Sequence, residues 1–245
     1  MKPIAHDCSI HIAGTGNVGG ALADHFVRQD ELCEILPTGW ESDPPKKGCL
    51  FLALPDDEVE RVLREIYPVV PPGLRITHFA GGLQVVHDRV HLLHPFASVN
   101  RATDLSRILC LWVGRNDTSF RRFLTEHRFR FIHRTALPGL GYHTAAVIAG
   151  NFTQYLYAAG LELLEREGFS EKEADALLEQ LVASSISGVR THGIAGLTGP
   201  AVRGDTAVVK AETAFLAKRS APLSAIYREL SKLIATAVRD GEILP

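Results

Sequence analysis

Apolar positions in the first half of the chain fall in short, nearly continuous runs: Ser9–Ala13, Leu32–Leu36, Cys49–Leu54, Arg75–Phe79, Val90–Leu93, Ile108–Val113 and Phe129–Ile132. Runs of this kind, bounded by Gly, Pro and Asp, predict strands buried on both faces. Between several of them the period changes to that of a helix, over Val18–Gln29, Glu58–Tyr67 and Ser119–His127. The segment Glu41–Lys47 is too short and Pro-rich for a further crossover helix. Strands alternating with helices specify a doubly wound α/β sheet, with ligands outside the carboxyl ends of the strands.

The texture changes after Arg134. Pro138-Gly139-Leu140-Gly141 is a natural hinge, and only helical periodicity follows. The pattern predicts a long helix over about His143–Glu167. A second, Glu171–Ser187, has Ser170 and Glu173 as a capping box. After a loop over Gly193–Gly204, Asp205 caps a helix to about Lys218, and Pro222 opens a last one to about Asp240. Two domains are expected: residues 1–136 forming the nucleotide-binding sheet, and 137–245 an all-α substrate and dimerisation domain.

The join between the first strand and the first helix carries the clearest chemistry. Gly14-Thr15-Gly16-Asn17-Val18-Gly19 has the spacing of the dinucleotide fingerprint. Gly14 permits the tight turn, Gly16 lets backbone approach a pyrophosphate, and Gly19 lets helix and strand pack closely. The helix N-terminus offers unpaired N–H groups and a positive dipole end. Where an NAD site places an acid at the end of the second strand, Thr38 and Gly39 stand instead. Thr38, with Leu54 and Pro55 at the end of the third strand and Gly81 after the fourth, completes the set of candidate cofactor contacts. Lys46 and Lys47 are read as solvent-facing.

Composition narrows the classes. In 245 residues, 46% are hydrophobic and 22% charged, with a formal net charge of −2, which gives no case for nucleic acid or an anionic membrane surface. The basic, aromatic stretch around Arg121-Arg122 and Arg128-Phe129-Arg130-Phe131 reads as a helix and strand with arginines outward. No apolar run reaches membrane-spanning length, and MKPIAHD lacks a signal-peptide core, so a cytoplasmic protein is expected. Cys8, Cys33, Cys49 and Cys110 lie in or beside strand-like runs without CxxC spacing and read as buried thiols. His87, His91 and His94 suggest a metal, but 91 and 94 point to opposite faces of a strand and no acid or cysteine completes a set, so no metal site is expected.

Several signatures occur together: the glycine turn, Leu54-Pro55-Asp56-Asp57, His78-Phe79-Ala80-Gly81, His94-Pro95-Phe96, Tyr142-His143-Thr144-Ala145-Ala146 with Asn151 behind, and Leu197-Thr198-Gly199-Pro200-x-x-Arg203-Gly204-Asp205. This set resembles a family of Rossmann-like proteins with a helical C-terminal domain, long of unknown function. Some members act as an alternative type of ketopantoate reductase. The family is similar to pyrroline-5-carboxylate reductases, classical ketopantoate reductases and 3-hydroxyacid dehydrogenases. The resemblance covers nearly the whole chain and implies an NADPH-dependent reductase, with 2-dehydropantoate as substrate and a homodimer paired through the helical domain. A cyclic imine of the pyrroline-5-carboxylate type is the alternative substrate, and a dinucleotide-binding sensor without turnover the alternative class. Two features depart from the pattern: Pro37-Thr38-Gly39-Trp40 replaces the usual polar or basic turn, and Val147 stands where the hydroxyacid dehydrogenases place a lysine.

Candidate chemistry then falls on few residues. His143 opens the long helix, and imidazole can give a proton to a carbonyl oxygen as hydride arrives. Positions 143, 147 and 151 follow one another at one-turn spacing, so Asn151 can share a cleft with His143 as catalytic partner and substrate contact. His78 and His94, at strand ends, are further candidate substrate contacts. Arg203 can hold a substrate carboxylate or pair with Asp205, whose own expected role is the helix cap.

Overall fold

A computed structural model describes residues 10–83 and 88–244. Cys8, His87 and the leading segment through Ser9 lie outside the described residues. The chain divides into two compact units, Met1–Gln154 and Tyr155–Pro245.

The first unit is a seven-stranded sheet in the order β2-β1-β3-β4-β5-β6-β7. Its strands are β1 (Ile10–Ala13), β2 (Cys33–Ile35), β3 (Gly48–Leu52), β4 (Leu74–His78), β5 (Val90–Pro95), β6 (Leu109–Val113) and β7 (Arg130–Arg134). Three helices accompany them: α1 (Asn17–Val27), α2 (Asp56–Ile66) and α3 (Thr118–Glu126). Neighbours pair in parallel except β5 and β6, where Leu92 faces Val113 and Pro95 faces Cys110 in antiparallel register. The link between them holds only a 3-10 turn, Leu105–Arg107, and no helix to carry the chain back across the sheet. The alternation of strand and helix is as expected; the reversal of β6 and β7 is not visible in it.

Alternate residues of each strand feed opposite cores. In β3, Cys49 and Phe51 join α1 (Leu22, Phe26) and α3 (Phe120, Phe123, Leu124) on one face. Leu50 and Leu52 meet Val59, Val62, Leu63 and Ile66 of α2 on the other. Each such buried side chain contributes roughly 1.5–3 kcal/mol relative to exposure. On the first of these faces α1 is also tied to the end of α3 by a polar contact, His25 Nε2 donating to the His127 carbonyl at 2.7 Å. Cys49 and Cys110 lie buried in the sheet, and burial pushes the Cys110 thiol up to about 12.

Asp56 and Asp57 lie inside the first turn of α2, whose N-cap is Pro55; there they act on the helix dipole and not as caps. The segment 41–47 forms no helix beyond a 3-10 turn at Trp40–Ser42, and Lys46 pairs with Asp43 at 3.0 Å.

The long helix begins at α4 (Leu140–Ala146), passes through a π-helical stretch at Val147–Phe152, and continues as α5 (Thr153–Arg166). The division between the two units falls inside it. The second unit continues with α6 (Glu171–His192), α7 (Pro200–Arg203), α8 (Thr206–Ala217) and α9 (Ala221–Asp240). The Ser170–Glu173 capping box is present in full. Asp205 occupies the N-cap position of α8, but its side chain caps nothing; it bonds Arg203 Nε at 2.9 Å. Helices α8 and α9 pack on each other, with Ser224 Oγ donating to the Thr213 carbonyl at 2.8 Å. No helix among the described residues is long and apolar enough to cross a membrane.

Candidate active site

The glycine turn joins β1 to α1, and its three glycines have different physical reasons. Gly14 has φ +106°, and a Cβ there would lie 2.2 Å from the Ala53 carbonyl oxygen at the end of β3. A Cβ on Gly19 would lie 2.0 Å from the Gly14 carbonyl oxygen. Both are therefore required by packing. Gly16 differs, because nothing stands within 4 Å of its Cβ position and its φ of −67° suits any residue. The protein itself gives no reason for a glycine at 16; an approaching ligand does. Helix α1 has no side-chain cap and no acidic residue in its first turn, so no side chain competes for its leading N–H groups. Thr15, Asn17 and Val18 complete the turn, with Thr15 exposed. These residues fit the pyrophosphate of a dinucleotide. Leu54 and Pro55 follow β3 beside this turn, and Leu54 Cδ2 lies 3.2 Å from the Gly14 Cβ position. Thr38 is exposed beside Gly39, whose φ of +83° starts the 3-10 turn.

A second feature lies at the end of β5, where a cleft of about 440 Å³ is lined by residues of two segments. His94, Phe96 and Ser98 come from β5 and the loop beyond it. His143, Asn151 and Gln154 come from the long helix. None of the lining residues carries a carboxylate, ammonium or guanidinium. The π-helical stretch, which contains Gly150 and Asn151, forms part of the wall. Such stretches widen the turn and re-aim side chains, often at functional sites. His143, Asn151 and His94 thus meet in one cleft, although 143 and 151 are no longer related by regular one-turn steps. The sequence carries one hint of the π turn, a glycine inside an apolar helix.

The other candidates are placed differently. His78 is fully buried in β4, and neither ring nitrogen has a hydrogen-bond partner. Burial, with His91 and His94 nearby, pushes it down to about 4, so it is neutral at ordinary pH. His91 is buried too; it stacks on Phe120, and its Nδ1 accepts from the Trp112 indole N–H at 3.1 Å. Gly81 is bare because the His94 ring needs the space: a Cβ there would lie 2.6 Å from His94 Nε2. Gly82 faces both Asp56 and His143, whose Oδ2 and Nδ1 lie 3.3 and 3.6 Å from its Cβ position. Arg203, in the second unit, is exposed and paired with Asp205.

Tyr142 is a residue the sequence singled out only as part of a motif. Its hydroxyl lies 2.6 Å from His94 Nδ1, and its ring packs on Phe96. Burial and then Cys110 push the phenol up to about 12, while burial and then His143 push His94 down to about 4. Both groups are neutral at ordinary pH. The sequence marked His94 as a candidate substrate contact, while Tyr142 only adjoins the candidate His143, and nothing in it linked the two.

Comparison with known proteins follows the same outline. Residues 139–234 match the model of a family described as Domain of unknown function (DUF2520). No curated protein matches the sequence. Among solved structures, BF3122 of Bacteroides fragilis, named as a candidate NADP oxidoreductase, superposes with TM-score 0.75 at 21% identity, covering 94% of this chain and 98% of that one. A reductive aminase from Aspergillus terreus, in complex with NADPH and ethyl levulinate, gives 0.66 at 18%, covering 96% and 95%. Pyrroline carboxylate reductase of Plasmodium falciparum, with NADP bound, gives 0.60 at 12%, covering 94% and 98%. At these identities the likeness is one of fold: a Rossmann-like sheet followed by a helical region.

Proposed function

We propose that this protein is an NADPH-dependent reductase that transfers hydride to the C=N or C=O carbon of a small molecule, and that a cyclic imine of the pyrroline-5-carboxylate type is its leading substrate class. The observation that carries the cofactor half is Gly16, a glycine with no neighbour and no strained backbone in the turn where a pyrophosphate would lie. The similar folds of an aminase solved with NADPH and a pyrroline carboxylate reductase solved with NADP support the choice of cofactor and favour an imine. The resemblance of the sequence motifs to an alternative ketopantoate reductase supports a second reading, reduction of 2-dehydropantoate.

In this reading the bound dihydronicotinamide supplies hydride. The chain's own residues orient the substrate and manage its proton. Asn151 offers an amide from the cleft wall to hold the substrate. His143 delivers the proton to the heteroatom that gains the electron pair. The uncharged lining leaves polarisation of the C=N or C=O group to hydrogen bonds. The protein works as a homodimer through its helices, which leave Phe152, Tyr155, Leu177, Leu181 and Ile186 exposed.

The test is NADPH oxidation over a panel of cyclic imines, 2-dehydropantoate and other 2-ketoacids. Fastest turnover with a cyclic imine supports the leading reading, and with 2-dehydropantoate the second. NADPH binding without oxidation of any panel member would leave a dinucleotide sensor.

A further inference from the structure

We propose that Tyr142 locks His94 as the neutral tautomer protonated on Nε2, and that this Nε2–H donates the hydrogen bond that polarises the substrate's C=N or C=O group. His94 is then a catalytic residue and Tyr142 its positioning residue. The proposal rests on the reductase reading and adds the group that activates the electrophile.

The geometry carries the argument. His94 stands at the end of β5 in the cleft wall. Its Nδ1 faces the Tyr142 hydroxyl at 2.6 Å, and that hydroxyl has no other hydrogen-bond partner among the described residues. A protonated phenol is the better donor of the two, and imidazole nitrogen the better acceptor. Donation from Tyr142 occupies Nδ1 and leaves the ring's one proton on Nε2. That nitrogen has no hydrogen-bond partner among the described residues, and the bare Gly81 gives the ring room. Tyr142 is held in turn by Phe96 and by the small cluster of Leu92, Leu111 and Val113.

The surroundings keep the ring uncharged. His94 is faced by His78 from β4 and by His143 from α4, whose ring centroid is 6.1 Å away, and no carboxylate lies in the cleft wall to favour a cation. Burial and His143 push His94 down to about 4. Two imidazoles at this spacing leave room for one substrate heteroatom to reach both. His143 gives a proton; His94 gives only a hydrogen bond. Hydride adds to carbon, the π pair moves to the heteroatom, and the proton from His143 completes the product, with no net proton leaving His94 or Tyr142.

Long-range 1H–15N NMR of the histidine rings in the full-length protein tests the lock directly. Wild type should show an acceptor-type Nδ1 and a protonated Nε2 at His94, and Tyr142→Phe should give a mixture of tautomers. With the substrate found in the panel, Tyr142→Phe should lower kcat roughly 10-fold, and His94→Phe by about 10²–10³-fold. NADPH affinity should not change in either, and His94→Gln, which keeps an amide donor, should recover part of the rate. A proton on Nδ1 in the wild type overturns the lock whatever the activity. A correct tautomer with wild-type kcat in His94→Phe overturns the donor role. Absence of turnover by the wild type overturns the reductase reading and the donor role with it, while the tautomer is still decided by the spectrum.

Discussion

The Gly19 α-carbon points its missing side chain at the Gly14 carbonyl oxygen, 2.0 Å from where a Cβ would be. Helix α1 can pack against this turn as it does only with hydrogen at position 19. Gly19→Ala must therefore push the helix away, and overpacking of this kind costs about 1–3 kcal/mol. Gly16→Val meets open space. It should keep the wild-type melting temperature and lose NADPH binding. Thermal melts paired with NADPH titration separate the two, and unchanged titration in Gly16→Val would remove the cofactor site from this turn.

The cleft roles predict different kinetics for two residues of one helix. His143→Gln removes the imidazole proton donor and should lower kcat by about 10²–10⁴-fold while NADPH affinity holds. Asn151→Ala should raise KM and lower kcat together as orientation is lost. Wild-type kcat and pH profile in His143→Gln would make it a wall residue only.

Cofactor preference follows from Thr38. No carboxylate is present at Thr38-Gly39 to bind ribose hydroxyls or repel a 2′-phosphate. NADPH should bind more tightly than NADH in parallel titrations. Equal or tighter binding of NADH would end this assignment.

Acid should destabilise the first unit earlier than its carboxylates alone require. Burial pushes His78, His91 and His94 down to about 4 from an ordinary value of 6.5. Above 6.5 these rings are neutral in both folded and unfolded chains and contribute no pH dependence. As pH falls from 6.5 toward 4 the unfolded chain takes up protons that the folded one refuses, so stability is lost through that window. The slope approaches about 1.4 kcal/mol per pH unit for each ring. The melting temperature should be level near pH 7 to 8 and fall between pH 6.5 and 5. A level profile across that interval would show that the rings are not buried as described.

The helical unit predicts its own assembly. Leu181 and Leu233 are 58% and 63% exposed, and Tyr155 more than half. Light scattering over micromolar concentrations should return twice the chain mass. A monomer throughout would leave these side chains in water and refute the pairing.

Local pattern by itself determined the order of strands and helices, the glycine turn and the Ser170–Glu173 box. Each depends on residues a few positions apart, where periodicity, capping chemistry and backbone sterics act directly. The same short range explains what the sequence could not decide. The direction of β6 depends on the link from β5, which has no helix to carry the chain back across the sheet and so returns it antiparallel. The exposed position of Asp205 looked like a cap because spacing alone cannot tell which partner a carboxylate takes, and the folded loop brings Arg203 to it. His78 and His94 look alike at strand ends, yet packing seals the first and opens the second to a cleft. Tyr142 and His94 are 48 residues apart, and no local rule links them. Only the register of β5 against the start of the long helix brings hydroxyl to imidazole, because hydrogen bonds require tenths of an ångström that a pattern of apolar and polar residues does not specify.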